Sequence, residues 1–149
     1  MKILGIDPGK SGAIATIEQT ALDRVIRVIK LKETERDVWE FVRDSHADCA
    51  ILERVSAMPR QGVSSTFKFG TSFGFCRGIL IAAGIPFTLV TPGVWQRHLS
   101  CLSKGDKNVT KAKAQELFPE GKITHANADA LLIAEYGRRN HQQLFGSGL

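Results

Sequence analysis

Residues 1–17 read M-K-I-L-G-I-D-P-G-K-S-G-A-I-A-T-I, and the reading of Asp7 decides the fold. Ile3, Leu4 and Ile6 belong to the apolar run of a strand buried on both faces, where a carboxylate is rarely left. Asp7-Pro8-Gly9 is also a turn signal, since Pro8 fixes φ, Gly9 accepts positive φ and Asp suits the first turn position. The acid either ends the strand or serves a site. Acids at comparable places elsewhere favour the second reading.

Working outward, residues 2–7 and 12–17 read as two strands joined by a Gly-rich turn. R-V-I-R-V-I-K-L at 24–31 alternates like a third strand with a basic face. Thr34 caps a helix to about His46, with Val38, Trp39 and Val42 as its apolar stripe. D-C-A-I-L-E at 48–53 is a short buried strand that Glu53 closes as Asp7 closes the first. A loop runs from Arg54 to about Thr66, a helix from there to Ala83, and P-F-T-L-V at 86–90 is a fifth strand. Thr91-Pro92 starts a short helix with Trp95, S-K-G-D-K-N at 103–108 is a loop, and Thr110 caps a helix that stops at Pro119. The last helix spans about Ala126 to Arg139. A meander of strands followed by alternating helix and strand predicts one α/β domain over 1–149, a five-stranded mixed sheet flanked by helices.

Composition bounds the partners. At 43% hydrophobic and 23% charged residues the chain is ordinary for a globular protein. Its 20 Lys and Arg against 15 Asp and Glu, a net charge of +5, favour polyanions. Cys49, Cys76 and Cys101 form no C-x-x-C pair, which argues against a disulfide framework or zinc knuckle and for a reducing cytoplasm. Apolar residues begin almost at Met1, so no leader is expected. The apolar stretch from Gly78 to Val90 is too short for a membrane span and is broken by Gly84 and Pro86.

A third misplaced acid lies in the last helix. Asp129, Leu132, Ile133 and Tyr136 follow i, i+3, i+4, i+7 spacing, so an apolar stripe begins with a carboxylate. Taken singly, Glu53 reads as a strand-terminal surface acid and Asp129 as a first-turn acid that complements the helix dipole. Together the three acids break local rules at matching places, as functional sites do. A crossover helix would make the first and fourth strands parallel neighbours, and a helix across their ends would bring Asp129 near both acids. Carboxylates packed together repel, and a hard divalent cation removes that cost. Mg²⁺ accepts a few carboxylates, water and phosphate oxygens. Two such ions about 3.5–4 Å apart would serve an in-line displacement at phosphorus, which points to phosphodiester hydrolysis.

I-L-G-I-D-P-G, I-L-E, the G-x-L segment Gly78-Ile79-Leu80 and D-A-L-x-I-A at 129–134 resemble the RuvC family of Holliday junction resolvases over nearly the whole chain. T-P-G-V-W-Q and A-D-A-L-L-I-A-E-Y-G-R-R look most like phage-type members. The resemblance implies a ribonuclease H-like fold, a homodimer, and metal-dependent paired nicking of four-way DNA junctions. The implied cofactor is two Mg²⁺ ions, for which Mn²⁺ substitutes. The setting is cytoplasmic, the host's cytoplasm for a phage protein. Asp7, Glu53 and Asp129 fall on three of the family's four acidic positions, and Lys107 falls near a lysine used close to the scissile phosphate. Where the family commonly places an acid or His three residues before the last Asp, this chain has Ala126. His125 is one residue earlier, and its i, i+4 relation to Asp129 would put both on one helix face and let it assist catalysis.

The family's aromatic wedge position, three residues after the second acid, is Ser56 here. Met58, Phe67 and Phe69 are the nearest candidates to stack at a junction centre, with core packing the alternative for the two Phe. Arg54, Arg60, Lys68, Arg97, Lys104, Lys107, Lys111 and Lys113 lie in or beside the loops after strands four and five, placed to contact phosphate as a group. Trp95 packs in the core or, beside Gln96 and Arg97, lies along the DNA.

Two other readings compete. The D-P-G-K-S-G turn resembles the first hairpin of actin-like phosphotransferases, but those need a second similar domain, and no G-x-x-x-x-G-K-[ST] loop is present. A non-catalytic basic DNA-binding module would be expected to lose one of the three acids. The expected function is therefore a structure-selective DNA endonuclease.

Overall fold

The computed structural model describes residues 1–9, 11–54, 56 and 60–146. Strands β1 (Lys2–Asp7), β2 (Ala13–Gln19) and β3 (Arg24–Lys30) form an antiparallel meander. Its first turn is tight: Gly12 N–H donates to the Gly9 carbonyl at 2.8 Å, and a Cβ at position 12 would overlap the carbonyl oxygen of Asp7. Helix α1 (Glu35–Ser45) leads to β4 (Cys49–Glu53), which pairs parallel with β1. Helix α2 (Val63–Ala82) then leads to β5 (Phe87–Val90), parallel to β4. The sheet order is β3-β2-β1-β4-β5, the mixed five-stranded sheet expected.

Period-two alternation sorts the strands between two cores. Leu4, Ile6, Ile14, Ala50 and Leu52 face α1 and α2, where they meet Val38, Val42, Cys76 and Leu80. Ile3, Ala15, Ile17, Cys49 and Ile51 face the other side, covered by α3 (Pro92–His98), α4 (Lys107–Leu117) and above all α5 (Ala128–Arg139). α5 lies so close to β1 that a Cβ at Gly5 would collide with the carbonyl of Ala130 and the backbone nitrogen of Ala134. A glycine in a central strand marks this backbone approach.

Thr34 caps α1 as its sequence suggests, its hydroxyl accepting the Asp37 N–H at 3.1 Å. Other boundaries differ for local reasons. α2 starts at Val63, with Gly62 rather than a hydroxyl residue before it. α4 is capped by Asp106, whose carboxylate accepts the Asn108 N–H at 2.9 Å, while Thr110 is buried inside the helix. α5 begins at Ala128, and the short α6 (His141–Phe145) follows it. β3 has no single basic face: alternation puts Arg24 and Lys30 on one side and Arg27 on the other, and Arg24 pairs with Glu120 at 2.8 Å. Among the described residues no helix is long and apolar enough to cross a membrane.

Candidate active site

The parallel register of β1 and β4 pairs Gly5 with Ile51 and Ile6 with Leu52. Asp7 and Glu53 therefore emerge together just past the last pair. Parity puts both on the face of Ile3 and Ile51, which is the α5 side. Asp129 sits in the first turn of α5. The three acids, from strands and a helix far apart in sequence, line one cleft of about 620 Å³. Gly9, Ser11, Phe69, Gln96, Ser103, Lys104, Lys107 and Thr110 share its walls.

Local hydrogen bonds hold two of the three acids in place without neutralising them. The first turn folds back on Asp7, whose Oδ1 accepts the Gly9 N–H at 3.0 Å. Glu53 Oε2 accepts the indole N–H of Trp95 at 2.7 Å. Asp129 Oδ1 is buried and has no hydrogen-bond partner among the described residues. Burial, the largest cause, pushes the Asp7 carboxyl above its usual range. The Gly9 N–H pulls it back, Asp129 pushes it further up and Lys107 opposes. Glu53 is pushed up to about 8, first by burial and next by the charge of Asp7, with Asp129 adding to the rise. The Trp95 hydrogen bond and Lys107 act in the other direction.

An orphaned buried oxygen beside two carboxyls raised chiefly by burial is an arrangement that a bound cation would satisfy. Among the described residues no group of three or more His, Cys, Asp and Glu side chains converges on one point fit to hold an ion. A resident cation would therefore complete its shell from water or phosphate oxygens, as Mg²⁺ does. The donor set is all oxygen and hard, and it fits that ion.

The other expected residues divide. Lys107, the first residue of α4, lines the cleft with Lys104, which holds φ 50° in the loop before it. Lys111 is half-buried one turn into α4, and Lys113 pairs with Glu116 at 2.8 Å. Arg54, Arg60 and Arg97 are exposed and lie outside the cleft lining. Lys68 and Phe67 border a separate groove between α1 and α2, while Phe69 lines the cleft. Met58 falls outside the described residues.

His125 is the clear departure. It is exposed in the turn before α5 and does not line the cleft, so it shares no helix face with Asp129. Asn127 lies in that turn, and its side chain accepts the Thr124 N–H at 2.8 Å and donates to the Lys122 carbonyl at 2.9 Å. The 124–127 segment is a turn closed by the Ala128 N–H to the Thr124 carbonyl at 3.1 Å, and α5 itself starts only at Ala128.

Two contacts are not expected from the sequence. Trp95 takes the first of its two readings, packing fully buried in the core, and its bond to Glu53 is the new element. Gln96 accepts from the Ser103 backbone N–H at 3.1 Å and from the Ser103 hydroxyl at 3.3 Å, tying down the Lys104 loop. The adjacent Trp95-Gln96 pair in T-P-G-V-W-Q was the available signal, but nothing in its spacing names the partners.

Known proteins share this architecture. Thermus thermophilus RuvC in complex with a Holliday junction substrate superimposes with a TM-score of 0.71 at 17% identity, covering 97% of each chain. A second Thermus thermophilus RuvC structure gives 0.65 at 18% identity, covering 96% of each chain. The fowlpox virus Holliday junction resolvase gives 0.53 at 16% identity, covering 97% of this chain and 100% of that one. No family model and no curated protein matches the sequence. At such identities the likeness is one of fold, and the fold is the ribonuclease H-like one expected.

Proposed function

We propose that this chain is a metal-dependent endodeoxyribonuclease that resolves four-way DNA junctions by paired nicks, its residues 1–149 forming one nuclease unit. The observation that carries the reading is that Asp7, Glu53 and Asp129 line one cleft, with Asp129 Oδ1 buried and without a partner among the described residues. The fold shared with solved resolvases, one of them described as bound to a Holliday junction substrate, supports the substrate class. The net charge of +5 suits a polyanion.

Asp7, Glu53 and Asp129 would hold the cofactor, which we take to be two Mg²⁺ ions or Mn²⁺ in their place. Bound there, such ions supply activation of water and stabilisation of charge on the attacking and leaving oxygens. The protein's own groups do the rest. Lys107 at the cleft wall offsets negative charge on the scissile phosphate, and Lys104 on its Gln96-anchored loop binds a neighbouring phosphate. Arg54, Arg60, Lys68, Arg97 and Lys111 extend phosphate contact along the arms. The buried free cysteines suit a cytoplasmic setting.

A homodimer matches the two-fold symmetry of a four-way junction. α2 offers the pairing face: Val63, Phe67 and Ile81 are exposed by 88%, 75% and 65%, and around Gly70 and Gly74 a Cβ would meet nothing within 4 Å. Incubating a labelled four-way junction and a linear duplex with the protein, with and without Mg²⁺, tests the reading. Paired nicks in the junction alone, only with Mg²⁺ and lost in Asp7→Asn, are expected. Binding without cleavage under all metals would replace it with a DNA-holding module.

A further inference from the structure

Trp95 is fully buried, packed in the same core cluster as Leu99, Cys101, Ala128 and Leu131. A buried indole N–H needs an acceptor, and backbone carbonyls are the common choice. Here the acceptor is a carboxylate 42 residues away, on the wall of the catalytic cleft, at 2.7 Å. Indole nitrogen donates only, so it cannot itself ligate a cation. What it can do is hold a ligand still.

We infer that Trp95 is a positioning residue for Glu53: its N–H engages Oε2 and leaves Oε1 as the oxygen that meets a divalent cation in the cleft. The inference rests on the proposed metal site and deepens it. Glu53 ends a strand, where the backbone restrains the side chain weakly, and a carboxylate free to rotate would lose rotamer entropy each time it bound an ion. The rigid ring, clamped by the core, removes that freedom in advance. The next residue acts in parallel, since Gln96 holds Ser103 and with it the loop carrying Lys104 towards Lys107. One turn of α3 thus sets an acid against a basic loop across the cleft.

Groups that orient a metal ligand are each worth about 10–100-fold in metal affinity. The test measures Mn²⁺ binding to the protein without DNA, counting free ion by electron paramagnetic resonance. Wild type is compared with Glu53→Gln, with Trp95→Phe, and with protein carrying benzothienylalanine at position 95, which keeps the shape of indole but replaces N–H by sulfur. Both position-95 proteins should bind Mn²⁺ about 10–100-fold more weakly than wild type. In chelator the benzothienyl protein, which keeps the ring's volume, should unfold close to the wild-type temperature, while Trp95→Phe should unfold lower because it leaves a cavity. Should Trp95→Phe fail to fold, the benzothienyl protein decides alone. Mn²⁺ affinity within about two-fold of wild type in the position-95 proteins, while Glu53→Gln binds weakly, overturns the inference and leaves Trp95 as core packing. Equal binding by wild type and Glu53→Gln, or none by either, overturns the metal site itself and this inference with it.

Discussion

The two ends of α5 treat a carboxylate in opposite ways. Glu135, 1% exposed, accepts two hydrogen bonds from Arg138 at 2.8 Å and one from Arg139 at 2.7 Å. Burial alone would raise its carboxyl, but the two guanidinium groups bring it below the ordinary value. Six residues earlier Asp129 has a buried oxygen with no partner among the described residues. Its neighbours Asp7 and Glu53 are both pushed up. The acid that serves the fold has its countercharge within one helical turn of the same chain. The acids at the cleft face each other and an exposed lysine, with no guanidinium paired to any of them among the described residues.

The largest effect that would break this comparison is catalytic. Asp129→Asn and Asp7→Asn keep side-chain volume and remove a carboxylate charge that the proposed cation would use. Cleavage of a four-way junction should fall by at least roughly 10³-fold, with junction binding retained and stability unchanged or improved. Single-turnover rates and thermal unfolding in chelator check both halves. Loss of stability in Asp129→Asn would mean that the acid is structural after all.

Glu135→Gln should do the reverse. Removing one member of a buried ion pair costs about 3–5 kcal/mol, and the low end applies because Arg138 and Arg139 side chains retain 31% and 40% exposure. Urea unfolding should register that loss, while the rate at a temperature where the variant is folded stays near wild type. A rate loss as large as that of Asp129→Asn would merge the two ends of α5 into one site.

The two acids also predict two pH windows in the metal-free protein. Glu53 has a folded value near 8 against an ordinary 4.5, so the folded state binds the extra proton between those values. Stability should therefore fall as pH rises from about 5 to about 8. Glu135, lowered, contributes stability above its ordinary value that is lost as pH falls through its folded one. Asp7, also raised, adds to the fall on the upper side. Glu53→Gln should flatten the upper limb, Glu135→Gln the lower. Mg²⁺ at a hundred times its dissociation constant should restore about 2.7 kcal/mol at pH 8.

The contrast explains what the sequence made legible. Asp7 and Glu53 stood out because each closes an apolar run, and strand parity then fixed their shared face. Asp129 stood out because it heads an apolar stripe. Glu135 did not, because an acid followed by arginines at i+3 and i+4 reads equally as a solvated helix face. Trp95 and Gln96 could not be assigned, since a donor's partner 42 residues off is fixed by packing rather than by local pattern. The start of α5 was misread for a different reason: Asn127 is an acceptable helix residue until its side chain is seen bonded to Thr124 and Lys122.

The turn before α5 carries the smallest expected effect. With α5 beginning at Ala128, His125 stays in the preceding turn, exposed and outside the cleft lining. It cannot follow Asp129 around a shared helix face, and it bonds to none of the three acids. Surface substitutions without such ties change free energy by about 0.5 kcal/mol or less, so His125→Ala should cleave junctions within about two-fold of wild type. The same variant in Mn²⁺, the softer ion that imidazole prefers, should behave alike. A drop of about 10²-fold or more in either metal would show that the 124–127 turn refolds on DNA and delivers His125 to the cleft. Asn127→Ala then separates the cases: freeing that turn should leave the rate unchanged if His125 is idle, and raise the weight of His125 if the turn is what withholds it.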